Sequence, residues 1–384
     1  MITHHVKTSL KSGFLHVLCA LIVASCSLES QVLGEFRTSD GIGFRVEKVL
    51  GNLEVPWSIV FGPSDEMYFT ERSGRLMVLE KGSPNAGLIA EIDGVVHQGE
   101  GGLMGLALHP QFKKNGFLYV SYTFRFKGSL ANRVVRYTLK DRKLGEQVVI
   151  VRYLPGSAVH NGCRLRFGPD GKLYVTTGDA AERQIAQDPF SLGGKILRLN
   201  DDGSIPKDNP RPGSEIYAMG FRNPQGIDWH PQTGLLFETE HGPSGFDGPG
   251  GGDEVNIVDV GGNYGWPIIH HREQKAGYRS PLLEYTPAVA PASGMFYAGR
   301  AFPGFQNNFF FGCLRGTRIQ RVILDESDAR RVLREESLLE DEFGRIREVT
   351  TGPDGYIYFS TSNTSRGRAS SDDDQILRMI PILD

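Results

Sequence analysis

The stretch HNGCRLRFGPDGKLYVTTGD, His160 to Asp179, reads as strand, tight turn, strand. Pro169 presets φ for the turn, Gly171 tolerates positive φ, and aromatic and β-branched residues follow. The same frame recurs at Phe61-Gly62-Pro63, Leu108-His109-Pro110, Trp229-His230-Pro231 and Thr351-Gly352-Pro353, leading into apolar runs such as Glu66-Met67-Tyr68-Phe69-Thr70 and Tyr356-Ile357-Tyr358-Phe359-Ser360. A sixth frame, Phe302-Pro303-Gly304, is followed by Asn308-Phe309-Phe310-Phe311-Gly312 in place of the usual strand. After most copies comes a further strand with a basic residue, as in Gly74-Arg75-Leu76-Met77-Val78-Leu79 and Lys195-Ile196-Leu197-Arg198-Leu199. Strand-built repeats of roughly 40 to 50 residues are the mark of propeller blades. Six copies predict an all-β, six-bladed β-propeller of four-stranded antiparallel blades.

Composition agrees with one exported, strand-rich domain. Helical periodicity is scarce after residue 35, and 48 glycines in 384 residues supply the turns that short strands need. A formal charge of -3 argues against a nucleic-acid partner, which requires a concentrated basic surface. At the N-terminus, Lys7 and Lys11 precede an apolar run from Phe14 to Ala24, the pattern of an export signal. Val23-Ala24-Ser25-Cys26 resembles a bacterial lipobox, in which Cys26 would become the lipidated first residue; ordinary cleavage nearby is the alternative. The expected organisation is an export signal over 1–26, a tether over 27–42 and the propeller over 43–384, in a periplasmic or lipid-anchored protein. Beyond the leader only Cys163 and Cys313 remain, which excludes a disulfide-rich scaffold; two unpaired thiols are the favoured reading.

The chemistry-bearing residues fall in predicted loops. His160 enters a strand where propeller loops converge on the channel mouth, and Asp179 closes the same hairpin, so the carboxylate can orient the imidazole as a general base. A structural histidine and a turn-capping aspartate are the plainer alternatives. In Gly220-Phe221-Arg222-Asn223-Pro224, Arg222 suits a developing oxyanion and Asn223 a neutral second donor; a surface turn would look similar. Glu240-His241-Gly242-Pro243 leads through a glycine-rich insertion to Asp253-Glu254-Val255-Asn256, an oxygen-rich region that could accept a hard cation such as calcium, without the spacing of an EF-hand. Arg345 and Arg347 share one face of a strand and, with Arg315, suit a polyanionic ligand bearing carboxylates; a solvated strand would read the same way.

Taken in order, GEGGLMGLALHP, HNGCRLRFGPDGKLYVTTGD, FRNPQGIDWHP, EHGP, GGDEVN, GGNYGWP, CLRG and GRIREV resemble the soluble quinoprotein aldose dehydrogenases of the glucose/sorbosone dehydrogenase family over about residues 44 to 382. The resemblance implies a six-bladed propeller that holds pyrroloquinoline quinone with calcium and oxidises the anomeric carbon of aldoses to lactones. It implies that His160 removes the C1 hydroxyl proton while the C1 hydride passes to the quinone C5, that Asp179 holds the histidine, and that Arg222 stabilises the reduced oxygen. It places Asn223, Glu100, Arg315, Arg345 and Arg347 at the cofactor, and the Gly242 and Pro243 carbonyls on its calcium. A second, structural calcium near Glu254 and Tyr264 is implied by one branch of the family.

The chain also departs from that pattern. Glu100 stands where characterised sugar oxidisers carry glutamine, and a carboxylate beside a triply acidic cofactor is repelled unless protonated or paired with an arginine. Arg315 replaces a lysine, and Thr286 stands where one branch has a tryptophan walling the sugar pocket, which predicts a more open site. The expected partners are an aldose and an external electron acceptor, in a monomer or homodimer. The competing expectations are a non-catalytic extracellular binding propeller and a calcium-dependent lactonase-type hydrolase.

Overall fold

The computed structural model describes residues 31–366 and 369–382. They form six antiparallel sheets arranged as propeller blades. Blade 1 spans 56–91, blade 2 103–155, blade 3 162–219, blade 4 224–285 and blade 5 291–338. Blade 6 joins the two ends of the chain: Ile346–Thr351, Ile357–Thr361 and Ile376–Pro381 are followed in the sheet by Gly43–Leu50, which pairs with Ile376–Pro381. This closure ties the N-terminal strand to the C-terminal blade and leaves the ring without an open seam.

Each proline turn read from the sequence joins the first and second strands of one blade. The hairpin of blade 3 pairs Gly162–Phe167 with Leu173–Thr177 around Gly168-Pro169-Asp170-Gly171. The sixth copy is regular after all, because Phe309–Cys313 is a full second strand, fully buried and paired with Pro291–Phe296. What differs there is the connection, which is lengthened by a short 3-10 turn at Pro303–Phe305. The expected tether needs a second correction: Val32–Arg37 is a strand that adds to the outer edge of blade 6 beside Gly43–Leu50. Its phenylalanine explains the docking, since Phe36 stacks on Phe44 at 5.7 Å. The expectations for residues 1–26, including Cys26, lie outside the described residues. Among the described residues no helix is long and apolar enough to cross a membrane.

Second strands such as Leu173–Thr177, Leu236–Glu240 and Ile357–Thr361 are buried throughout, because both faces press against neighbouring blades. That double burial is why they read as continuous rather than alternating apolar runs. Phe309 and Phe311 of blade 5, for example, pack with Phe237 and Val255 of blade 4. Cys163 and Cys313 are both buried free thiols in separate clusters, as favoured from the sequence.

One regularity escapes sequence reading. In all six blades the pairing of first to second strand slips near the start of the first strand, at Pro56/Ser58, Leu103/Leu106, Gly162/Leu165, Pro224/Gly226, Pro291/Gly294 and Ile346/Glu348. A bulge re-aims the side chains beside it and ends regular pairing. Six of them form a ring at one end of the channel, where the candidate site lies.

Candidate active site

The ring of bulges surrounds a cavity of about 500 Å³. His160 reaches it from the loop before the first strand of blade 3, in a backbone conformation (φ 54°) that L residues rarely adopt. Three contacts hold that conformation. The His160 N–H donates to Glu100 Oε2 at 3.1 Å, the His160 carbonyl accepts the Ala180 N–H at 3.1 Å, and Gly178 lies so close that a Cβ there would stand 1.9 Å from the His160 carbonyl oxygen.

The imidazole Nδ1 meets Asp179 Oδ1 at 2.8 Å. Asp179 is fully buried, and it also accepts the Ala181 N–H on Oδ1 and the Trp266 indole N–H on Oδ2, each at 2.8 Å. A carboxylate acceptor on Nδ1 fixes the proton there and leaves Nε2 as the basic nitrogen of the ring. Asp179 therefore acts behind the histidine, and the hairpin brings the pair together as read from the sequence. Trp266 was not singled out: it lay within GGNYGWP, and nothing in that motif says the indole would cross to blade 3.

Arg222 lies beside His160 in the cavity wall and is 2% exposed. Its guanidinium donates to Asp247 Oδ2 at 2.7 Å, Ser244 Oγ at 2.9 Å and the His241 carbonyl at 3.2 Å. Its backbone N–H donates to Glu240 Oε2 at 2.7 Å. Asn223 is a different case. Its Oδ1 accepts the Gly162 N–H at 3.1 Å and Gln225 Nε2 at 3.0 Å, so the side chain braces blade 3 against blade 4 beneath the wall and does not line it.

Arg315, Arg345 and Arg347 line the wall supplied by blades 5 and 6. Arg345 Nη1 donates to the Leu314 carbonyl at 3.1 Å and Arg347 Nη1 to Gln225 Oε1 at 2.9 Å, while the Nε of both is buried without a protein partner. Burial, with Arg72, Arg345 and Arg164 nearby, lowers Arg347 to about 9. His241 is held well below its ordinary value by burial and by Arg347 and Arg222. Buried N–H groups without acceptors are costly, and here two orphaned guanidinium nitrogens belong to residues of one cationic cavity. A wall of this kind suits an anion with several acceptor oxygens.

Trp57 completes the floor, with the Arg164 guanidinium 4.2 Å and that of Arg347 5.5 Å from the ring centroid. Two further cavity arginines, Arg72 in a turn and Arg366 at the end of the short helix Asn363–Arg366, were missed because a single arginine outside a motif carries no sequence signal. They meet the condition set for Glu100: Arg366 Nη2 lies 3.6 Å from Glu100 Oε1, and the charges of Arg72 and Glu100 stabilise one another.

Gly242 and Pro243 reach the cavity, with their loop folded back so that the Pro243 carbonyl accepts the Gly251 N–H at 3.2 Å and Asp253 Oδ1 accepts the Gly242 N–H at 2.8 Å. A carbonyl oxygen has two lone pairs, so this arrangement leaves Pro243 able to accept a cation. Glu254 and Tyr264 are not in the cavity wall. Glu254 accepts Asn256 Nδ2 at 3.1 Å, and the Tyr264 hydroxyl donates to the Ile257 carbonyl at 2.6 Å while its ring stacks on Phe221. Among the described residues no group of three or more His, Cys, Asp and Glu side chains is arranged to hold a metal ion.

Comparison with known proteins agrees with this geometry. Residues 53–370 match the family model for glucose/sorbosone dehydrogenase. The aldose sugar dehydrogenase YliI of Escherichia coli (strain K12) is 33% identical over 344 residues, covering 83% of this chain and 90% of the relative. The crystal structure of a proposed oxidoreductase (glucose dehydrogenase) from Thermus thermophilus superposes with a TM-score of 0.80 at 44% identity, covering 88% of this chain and all of that one. The PQQ-bound aldose sugar dehydrogenase of Streptomyces coelicolor superposes at 0.78 with 31% identity, covering 87% and 96% of the two chains. Fold, cavity and these similarities agree: the chain belongs to the glucose/sorbosone dehydrogenase family.

Proposed function

We propose that the protein is a quinoprotein oxidoreductase that oxidises C1 of aldose sugars to lactones with pyrroloquinoline quinone as cofactor. The observation that carries this reading is a single cavity with an oriented base on one side and unpaired guanidinium N–H groups on the other. Arg315, Arg345 and Arg347 are the groups to hold the cofactor's carboxylates, and the unpartnered Nε atoms of Arg345 and Arg347 supply unmet hydrogen-bonding capacity in that wall. When bound, the quinone supplies an acceptor for the hydride from C1.

His160 Nε2 takes the proton of the C1 hydroxyl, and Asp179 steadies the imidazolium through Nδ1. Arg222 places positive charge beside that base, suited to oxygen on which negative charge develops. The Gly242 and Pro243 carbonyls are the protein's contribution to a calcium ion held jointly with the cofactor. A structural calcium near Glu254 and Tyr264 would be a separate site, because neither residue lines the cavity. Export through residues 1–26, anchoring at Cys26 and an external electron acceptor belong to the same reading. A binding propeller gives the oriented His160–Asp179 pair no chemical purpose, and a lactonase-type hydrolase gives none to the arginine wall.

The test is dye reduction by the purified chain with added quinone and calcium, against aldoses, polyols and alcohols. Quinone-dependent oxidation of aldoses is the expected result. Absence of quinone binding in an absorbance titration would overturn the proposal.

A further inference from the structure

The glycine-rich loop between Pro243 and Gly251 places Phe246 beside the base. Its ring lies 6.4 Å from the His160 imidazole, centroid to centroid, at an interplanar angle of 20°. It is 74% exposed, one of the most exposed large apolar side chains among the described residues. Left in water, such a ring forgoes the stabilisation that burial would bring, and a ligand seated on His160 would cover it.

The loop holds this position despite its glycines. Asp247, the next residue, accepts Arg222 Nε on one carboxylate oxygen and the Ser244 N–H on the other, at 2.7 and 2.8 Å. Arg183 Nη1 donates to the Asp247 carbonyl at 2.9 Å. The base of the loop is pinned by Asp253, which accepts the N–H groups of Gly242, Val289 and Ala290. The tip is thus tied to the arginine of the site, with the Phe246 ring nearly parallel to the His160 imidazole.

Resting on the dehydrogenase reading, we propose that Phe246 is a specificity-determining residue that packs its ring against the apolar C–H face of the pyranose while His160 addresses the C1 hydroxyl. An aromatic face and a nearby polar group together select a ring with one apolar side and an edge of hydroxyls. Linear polyols and small alcohols offer no such face.

The test compares wild type with Phe246→Ala, Phe246→Leu and Phe246→Trp in the full chain with quinone and calcium. It measures KM and kcat for a hexose, a pentose and a disaccharide, and quinone affinity by absorbance titration. Phe246→Ala and Phe246→Leu are expected to raise KM for the aldoses by about tenfold with quinone affinity within about twofold of wild type, and Phe246→Trp to retain wild-type KM. Unchanged KM in Phe246→Ala overturns the role of the ring while leaving the dehydrogenase reading standing. A rise in KM joined by a loss of quinone affinity overturns it as well, by assigning the loop to the cofactor. Wild-type protein that binds quinone and oxidises no aldose overturns the dehydrogenase reading, and this inference with it.

Discussion

Two regions serve the same cavity by opposite means. The hairpin from His160 to Asp179 carries base and orienting carboxylate on one continuous piece of regular structure, with Gly178 packed against the His160 carbonyl and Trp266 closing the far side of Asp179. The loop from Gly242 to Gly252 has no regular structure and six glycines, yet its acid Asp247 engages Arg222 as closely as Asp179 engages His160. In the first region the backbone determines the geometry; in the second, side-chain hydrogen bonds hold a backbone that would otherwise have many conformations. Changes in the hairpin should therefore act on chemistry, and changes in the loop on binding and local order.

The sharpest break in that comparison is His160→Ala, which removes the base: turnover should fall by about 10²–10⁴-fold with quinone affinity nearly intact, measured by steady-state kinetics beside a titration. Equal activity would end the assigned role. On the opposite wall, Arg347→Ala should weaken quinone binding by roughly 10–100-fold, the scale of a lost charge-assisted hydrogen bond. Unchanged affinity would remove Arg347 from the cofactor site. Trp266→Phe takes one donor from Asp179 and leaves that buried oxygen unpaired, so we expect a loss of about 1–3 kcal/mol in denaturant unfolding and a smaller fall in kcat. A variant as stable as wild type would show that the indole hydrogen bond is dispensable.

The smallest effect belongs to the loop. Partial burial raises the Asp247 carboxyl, but hydrogen bonds from Arg222 and Ser244 outweigh it and hold the group below the usual carboxylate range. A depressed folded-state value means that the stabilisation is present above the unfolded value and is lost as pH falls through the folded one. Asp247→Asn should accordingly lower the thermal midpoint by about 2 °C near neutral pH, with the gap closing in acid below the unfolded carboxylate value. A gap that persists at low pH would assign Asp247 a role other than its charge.

Legibility followed the length scale of each interaction. Five of the six turns were readable because a proline after glycine or histidine sets φ locally ahead of an apolar strand. The His160–Asp179 pair was readable because one hairpin contains both. Asn223 was placed at the cofactor by the resemblance, yet its amide goes to Gly162 and Gln225, a bracing of blade 3 on blade 4 that no local motif shows. Val32–Arg37 passed for a tether because an edge strand has no pattern until its partner is known.

The sequence alone determined the blade count, the all-β class and the family, since these rest on repeated local geometry and ordered motifs. Only the tertiary structure decided that Trp266 supports Asp179, that Arg72 and Arg366 accompany Glu100, and that an exposed Phe246 faces His160. Trp266 and Phe246 reach from blade 4 to the neighbouring blade 3, whereas the meeting of Arg366 with Glu100 depends on closing the ring, which brings blade 6 beside blade 1.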